Sequence, residues 1–231
     1  MKKITLVFLP ILISACAGGS SSSSSGGSAS TNAFTSWSAT IAANTPASFT
    51  GGASSTMALD GTSVQADADG TATLTLGGNG IYSAISAATP TGSTSFSAAN
   101  GDTLQSGFSG ATTIALNKSQ TTIGTFANPT YFGFEYQTFG AWGAYGNATT
   151  PAYAVSVGSP SPVSAIPAVG SLTFTGGATG YYADPGKFGY VTNANMVAVV
   201  TFDNRSVAFT TTNTTVTGGP GAGTLSAPAL N

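Results

Sequence analysis

The stretch YFGFEYQTFGAWGAY, residues 131–145, sets seven aromatic side chains against a single charge. Read as extended chain, it puts Phe132, Phe134, Tyr136 and Trp142 on one face and Glu135 and Gln137 on the other. Gly133, Gly140 and Gly143 interrupt it, and glycine relieves crowding where a sheet curls, so the stretch predicts a bent, strongly coiled strand. Glu135 alternates correctly with the aromatic face and reads as an outward-facing or barrel-lining residue rather than a carboxylate aimed at a ligand.

The chain on either side is of the same kind. No segment sustains apolar residues at helical spacing, and Gly, Thr, Ser and Asn disfavour helix interiors throughout. Ala72, Leu74 and Leu76 alternate with Thr71, Thr73 and Thr75, and the run breaks at Gly77-Gly78-Asn79-Gly80 before Ile81-Tyr82, a hairpin signal. Asn100-Gly101 marks a further turn, and Thr112 to Leu116 and Thr121 to Phe126 are candidate strands. Pro151 to Pro167 is rich in proline and reads as a long connection. Beyond it come Val169 to Tyr182 with Leu172 and Phe174 inward, Tyr190 to Phe202 with Met196, Ala198, Val200 and Phe202 on one face, and Ser206 to Val216. Asp203-Asn204-Arg205 joins the last two as a tight hairpin, and Thr224 to Asn231 begins a further strand. The expected fold class is all-β, with an antiparallel sheet region followed by an up-and-down barrel.

Composition narrows the chemistry. Charged residues are 5% of the 231 and histidine is absent. Without histidine there is no Ser-His-Asp or Cys-His nucleophile, no imidazole acid or base, and no common zinc site. Asp67-Ala-Asp69-Gly70 has the opening of a calcium loop, but the twelfth position is Gly78 where a bidentate Glu belongs, so a polar turn is the better reading. Tyr131, Tyr181 and Tyr182 have the chemistry to ligate haem iron or to stack on a ligand, yet tyrosine in a β-protein mostly packs. No paired carboxylates, phosphate loop or metal cluster is present, so we expect no enzyme, no cofactor and no metal.

The N-terminus carries its own signal. Lys2 and Lys3 precede the apolar run Ile4 to Ile13 and the small pair Ser14-Ala15, the layout of an export segment. It falls short of the roughly 20 apolar residues that span a bilayer. The only cysteine, Cys16, follows directly, and Ile13-Ser14-Ala15-Cys16 resembles the lipobox of bacterial lipoproteins. That resemblance implies cleavage before Cys16 and acylation of its thiol, which would leave no cysteine for a disulfide. Two or three acyl chains on one residue hold a protein firmly to a membrane. The Gly/Ser run from Gly18 to Ser30 is then a flexible tether. With the signal removed, Lys118, Lys187 and Arg205 face seven acidic residues, a net charge near −4, so nucleic acid is not an expected partner.

Three ordered segments complete the pattern: YQTFGAWGAYG (136–146), PAVGSLTFTGGATGYYADPGKFGY (167–190) and ANMVAVVTFDNRSVAFTTTNT (194–214). Together they resemble the barrel domain of transferrin-binding protein B-like surface lipoproteins. In that family a strand with a Phe-Gly-x-Trp-type element precedes a glycine- and tyrosine-marked strand and a hairpin at Phe-Asp. The resemblance implies residues 1–15 as lipoprotein signal, 16–33 as acylated Cys16 plus tether, 34–124 as a β-rich handle and 125–231 as the barrel. It also implies an outer-membrane, lipid-anchored, non-enzymatic module for a solute or host protein, such as a host glycoprotein or an iron- or haem-related ligand, with no ligand-binding residue carried over. A structural or adhesive envelope protein is the alternative. The family's barrel has eight strands, whereas four and a fragment precede Asn231. We therefore expect a truncated barrel with Phe132, Phe134, Trp142, Leu172, Phe174, Val200 and Phe202 left partly bare, or pairing through the edges of the Tyr131 and Ser206 strands.

If Cys16 is the acylation site, the full chain made in a Gram-negative host will partition into detergent, and Cys16→Ser will remain unprocessed and leave the detergent phase. Unchanged partitioning and processing would refute the assignment.

Overall fold

The structure is a computed structural model that describes residues 5–6, 46–50, 52–57, 64–67, 69–77, 81–146, 151–158, 163–183, 189–217 and 225–226. Cys16, the tether and the start of the expected handle lie outside them.

The fold is all-β and antiparallel, as expected. In chain order the strands are β1 (Thr5–Leu6), β2 (Pro46–Thr50), β3 (Gly52–Met57), β4 (Val64–Asp67), β5 (Thr71–Leu76), β6 (Tyr82–Thr89), β7 (Gly92–Ser97) and β8 (Thr103–Gly107). They continue with β9 (Thr112–Leu116), β10 (Thr122–Ala127), β11 (Gln137–Ala144), β12 (Ala152–Gly158), β13 (Ser171–Ala183), β14 (Gly189–Thr201), β15 (Ser206–Thr217) and β16 (Leu225–Ser226). Among the described residues these form three open ladders rather than one closed barrel. A central sheet has the order β4-β3-β12-β11-β10-β9-β8, a cover sheet β2-β5-β6-β7 and a long sheet β1-β13-β14-β15-β16.

Strand alternation shows how the ladders stack. In the central sheet Ala115, Phe126, Trp142, Val155 and Val157 point one way and pack with Leu74, Leu76, Tyr82, Ile85 and Phe96 of the cover sheet. Their sequence neighbours Ile114, Ile123, Ala141, Ala152 and Ala154 point the other way and pack with Tyr181 and Val191 of the long sheet. The central sheet is thus buried on both faces, which explains why β9 to β12 lack a clean polar alternation.

Several expectations need correction. Residues 131–136 are not strand: Pro129–Phe132 forms one helical turn, α1, because the Asn128 side chain accepts from Thr130 N at 3.0 Å and Tyr131 N at 3.4 Å. Gly133, at φ 67°, ends the turn. The strand that follows, β11, lies inside the central sheet between β10 and β12, so it offers no edge for pairing. The proline-rich connection contains a strand, β12, because the six residues from Ala152 to Val157 are free of proline and alternate small and branched side chains onto the two layers. Trp142 is not left bare: the strands expected to form a separate handle cover it. Leu172, expected inward, is 43% exposed: it lies at the far end of the face opposite Tyr181 and Val191, beyond the buried Ala198 and Met196. The expected boundary at 124/125 falls inside β10, and β3 and β12, from its two sides, are bonded neighbours.

The hairpins at 77–80 and 203–205 join the strands they were expected to join. β16 pairs Leu225 with Val216, within the segment expected to begin a further strand. At the corner between cover and central sheets the Asp102 carboxylate accepts from Ser97 N and Lys118 N, both at 2.8 Å.

Gly143 tests the layer contact. A Cβ there would come within 2.6 Å of the Tyr181 ring, whereas one at Gly176 meets only Met196 Cε at 3.7 Å. Gly143→Val should cost about 1–3 kcal/mol in chemical denaturation and Gly176→Ala less than about 0.5 kcal/mol. Equal effects would refute the layer arrangement.

Candidate binding surface

β13, β14 and β15 have 13, 13 and 12 residues, against 5 to 8 for β8 to β12. At about 3.3 Å per residue the long strands run roughly 40 Å and outrun the sheet beneath them. Their overhanging end gathers most of the exposed apolar surface. Of the seven large hydrophobic side chains exposed among the described residues, Ile166, Val169, Leu172, Val197 and Val207 lie there.

Register arranges the three that lie on strands. Leu172, Val200 and Val207 stand opposite one another on one face, and Val197 stands between Thr175 and Thr210 on the other. The lead-in loop is tied to the hairpin turn: Gly170 N donates to Asp203 Oδ2 at 2.9 Å and Phe202 N donates to Gly170 O at 2.8 Å. Val169, 70% exposed, is thereby held beside the turn. Asp203 and Arg205 are the charges at this end, and the Asp203 carboxylate already accepts a backbone N–H.

At the root of the overhang sits an aromatic knuckle. Phe132 stacks on Phe134 at 5.3 Å, meets Tyr131 edge-on at 5.1 Å and touches Phe139 at 6.2 Å. A side chain at Gly177 of β13 would overlap the Phe132 ring, so the knuckle braces the long sheet. It presents Tyr131, Tyr136 and Glu135 to solvent. Glu135 thus stands on an exposed loop, not on a strand face.

The tyrosines considered for ligand chemistry have different fates. The Tyr181 hydroxyl donates to Ala144 O, and burial pushes its pKa up, so it serves the layer contact and is not free to ligate a metal. Tyr182 lies across from Tyr190 with ring centroids 6.1 Å apart. Tyr131 rests its ring edge on Phe132. Asp69 is exposed, at a bridge between β4 and β5. Among the described residues no three His, Cys, Asp or Glu side chains converge as metal ligands, and no helix is long and apolar enough to cross a membrane. Sequence reasoning missed the overhang, whose signal was the length of the three uninterrupted runs after Val169.

Comparison of the chain with protein-family models, with curated proteins and with solved structures returns no match.

Tyr82 and Tyr181 give a pH signature. Burial is the larger influence on Tyr82 and raises its pKa, partly offset by the bond to Thr138; burial alone raises Tyr181. Stability from a raised tyrosine pKa is complete below the ordinary value near 10 and is lost as pH rises above it. Denaturation midpoints should be level from pH 7 to 9 and fall above pH 10, and Tyr82→Phe with Tyr181→Phe should flatten the fall. A midpoint indifferent to pH up to 11.5 would contradict the burial of both hydroxyls.

Proposed function

We propose that this chain is a lipid-anchored, non-enzymatic binding module of the bacterial outer membrane, of the transferrin-binding protein B-like type, that takes a solute or host protein on the overhanging end of its long sheet. The observation that carries this reading is the concentration of Ile166, Val169, Leu172, Val197 and Val207 at one end of the long sheet, beside the Asp203–Arg205 turn. Isolated apolar residues on a surface mean nothing, but a gathered patch on a structured element marks an interaction site. The lipobox at Cys16 and the Gly/Ser tether supply the anchor, and the ordered series of motifs between residues 136 and 214 supplies the type.

Native mass measurement and pull-down should be run on the soluble chain from Phe34 with haem, an iron carrier and an iron-carrying host glycoprotein. One of these should be retained, and Leu172→Asp with Val207→Asp should weaken retention by about tenfold or more, the scale of a central contact. No retention of any probe, or retention unaffected by the two aspartates, would overturn the reading.

A further inference from the structure

The two interfaces of the central sheet differ in kind. Toward the cover sheet it presents Phe126, Trp142, Val155 and Val157 to Leu74, Leu76, Tyr82, Ile85 and Phe96. Polar groups there join the layers: Tyr82 N donates to Thr113 Oγ1 at 3.1 Å and Tyr82 Oη donates to Ala127 O at 2.9 Å, while two buried atoms on that side, Ser54 Oγ and Trp142 Nε1, have no partner.

Toward the long sheet the face is made largely of alanine and hydroxyl. One row across the strands reads Ser55, Ala154, Ala141, Thr125, Ile114, and Thr112 lies two residues along from Ile114 on the same side. The long sheet answers with Thr179 and Asn193, a directly opposed pair two positions from Tyr181 and Val191. Ser55 Oγ, Thr112 Oγ1, Thr125 Oγ1, Thr179 Oγ1 and Asn193 Oδ1 are all buried with no hydrogen-bond partner in the protein. Five such groups on facing surfaces oppose the contact, since each gave up water without replacement. Against them stand the Tyr181 hydroxyl bond to Ala144 O and the rings seated over Gly143 and Gly177.

We infer that the long sheet is built to open: β13 to β15 leave the central sheet as one unit, ahead of the rest of the protein, and uncover the face that carries Ile114, Ile123, Ala141 and Ala154. Opening returns these unpartnered groups to water and strips β13 to β15 of one of their two buried faces, the other carrying Ala194, Met196 and Ala198, so 171–217 exchanges ahead of the other sheets. Elements that move in a protein's function are drawn from such low-stability units.

Amide exchange on the full chain tests this. Peptides from 171–217 should exchange at least about tenfold faster than those from 71–127, as expected of separate cooperative units. Thr125→Val with Thr179→Val removes two unpartnered hydroxyls at constant shape, and it should slow exchange in 171–217 by about fivefold or more, with 71–97 unchanged. Tyr181→Phe should speed exchange in 171–217 alone. One common rate for both segments in the wild type would overturn the inference. So would faster exchange or loss of folding in the double valine variant, which would show those hydroxyls to be satisfied, and so would an indifferent response to Tyr181→Phe.

Discussion

Rings seated in the hollows left by glycines on facing strands are the contact on which this structure depends. Phe126 lies over Gly124 and Gly140, Tyr153 over Gly92, Tyr181 over Gly143 and Gly189, and Phe132 over Gly177. In every case an added Cβ would collide with the ring or force it to move. A glycine in a strand weakens it by itself, but a ring lying across the bare backbone restores the packing and excludes water there. Gly92 with Tyr153 seats cover sheet on central sheet, and Gly143 with Tyr181 fixes where the long sheet docks on the central sheet. Gly124 and Gly140 with Phe126 act within one layer. With 5% charged residues and one cysteine, ion pairs and disulfides have little part in setting how the layers meet, and shape sets it instead.

Polar satisfaction in the same layers is supplied by hydroxyls. Thr113 accepts from Tyr82 N, while Tyr82 and Thr138 both donate to Ala127 O, at 2.9 and 3.4 Å. The Asn117 side chain accepts from Thr121 N at 2.7 Å and Thr122 N at 2.9 Å and closes the turn between β9 and β10. Threonine suits this chemistry because its branched carbon favours strands while its oxygen both donates and accepts. A chain that replaces charge by threonine can bury both faces of a sheet, which a charged alternation could not do.

Much of the local structure was legible in the residues, and the reason it stops there is physical. Thr71–Leu76 follows from alternation and its bounding turn, and the Asp203-Asn204-Arg205 hairpin from turn chemistry. The helical turn at Pro129 carried a readable cue in Asn128-Pro129, but the aromatic alternation after it spoke louder. β12 was hidden because prolines flank it on both sides. Which sheet each strand joins was not legible at all: alternation assigns a residue to a face and says nothing about what covers that face. Trp142 had to be buried by something, and the covering strands came from the segment expected to stand apart. As for the candidate surface, Tyr181 and Tyr182 drew notice as chemistry-bearing residues, whereas Leu172 looked like ordinary core.

That last misreading has a geometric cause. A strand's alternation promises one buried face along its whole length, and the promise holds only as far as a neighbouring layer extends. The central strands β8 to β12 are 5 to 8 residues long and the long strands 12 to 13, so about 15–20 Å of each long strand has no central sheet beneath it. On the face that carries Tyr181 and Val191 both are buried, while Thr175 and Val197 further along the same face are exposed; Leu172 and Val207 lie on the opposite face. The apolar character of the overhang therefore does not come from any local departure in sequence. It follows from the mismatch in strand length between two stacked sheets, and shortening β13 to β15 to the span of the central sheet would remove the surface without changing a single residue of the core.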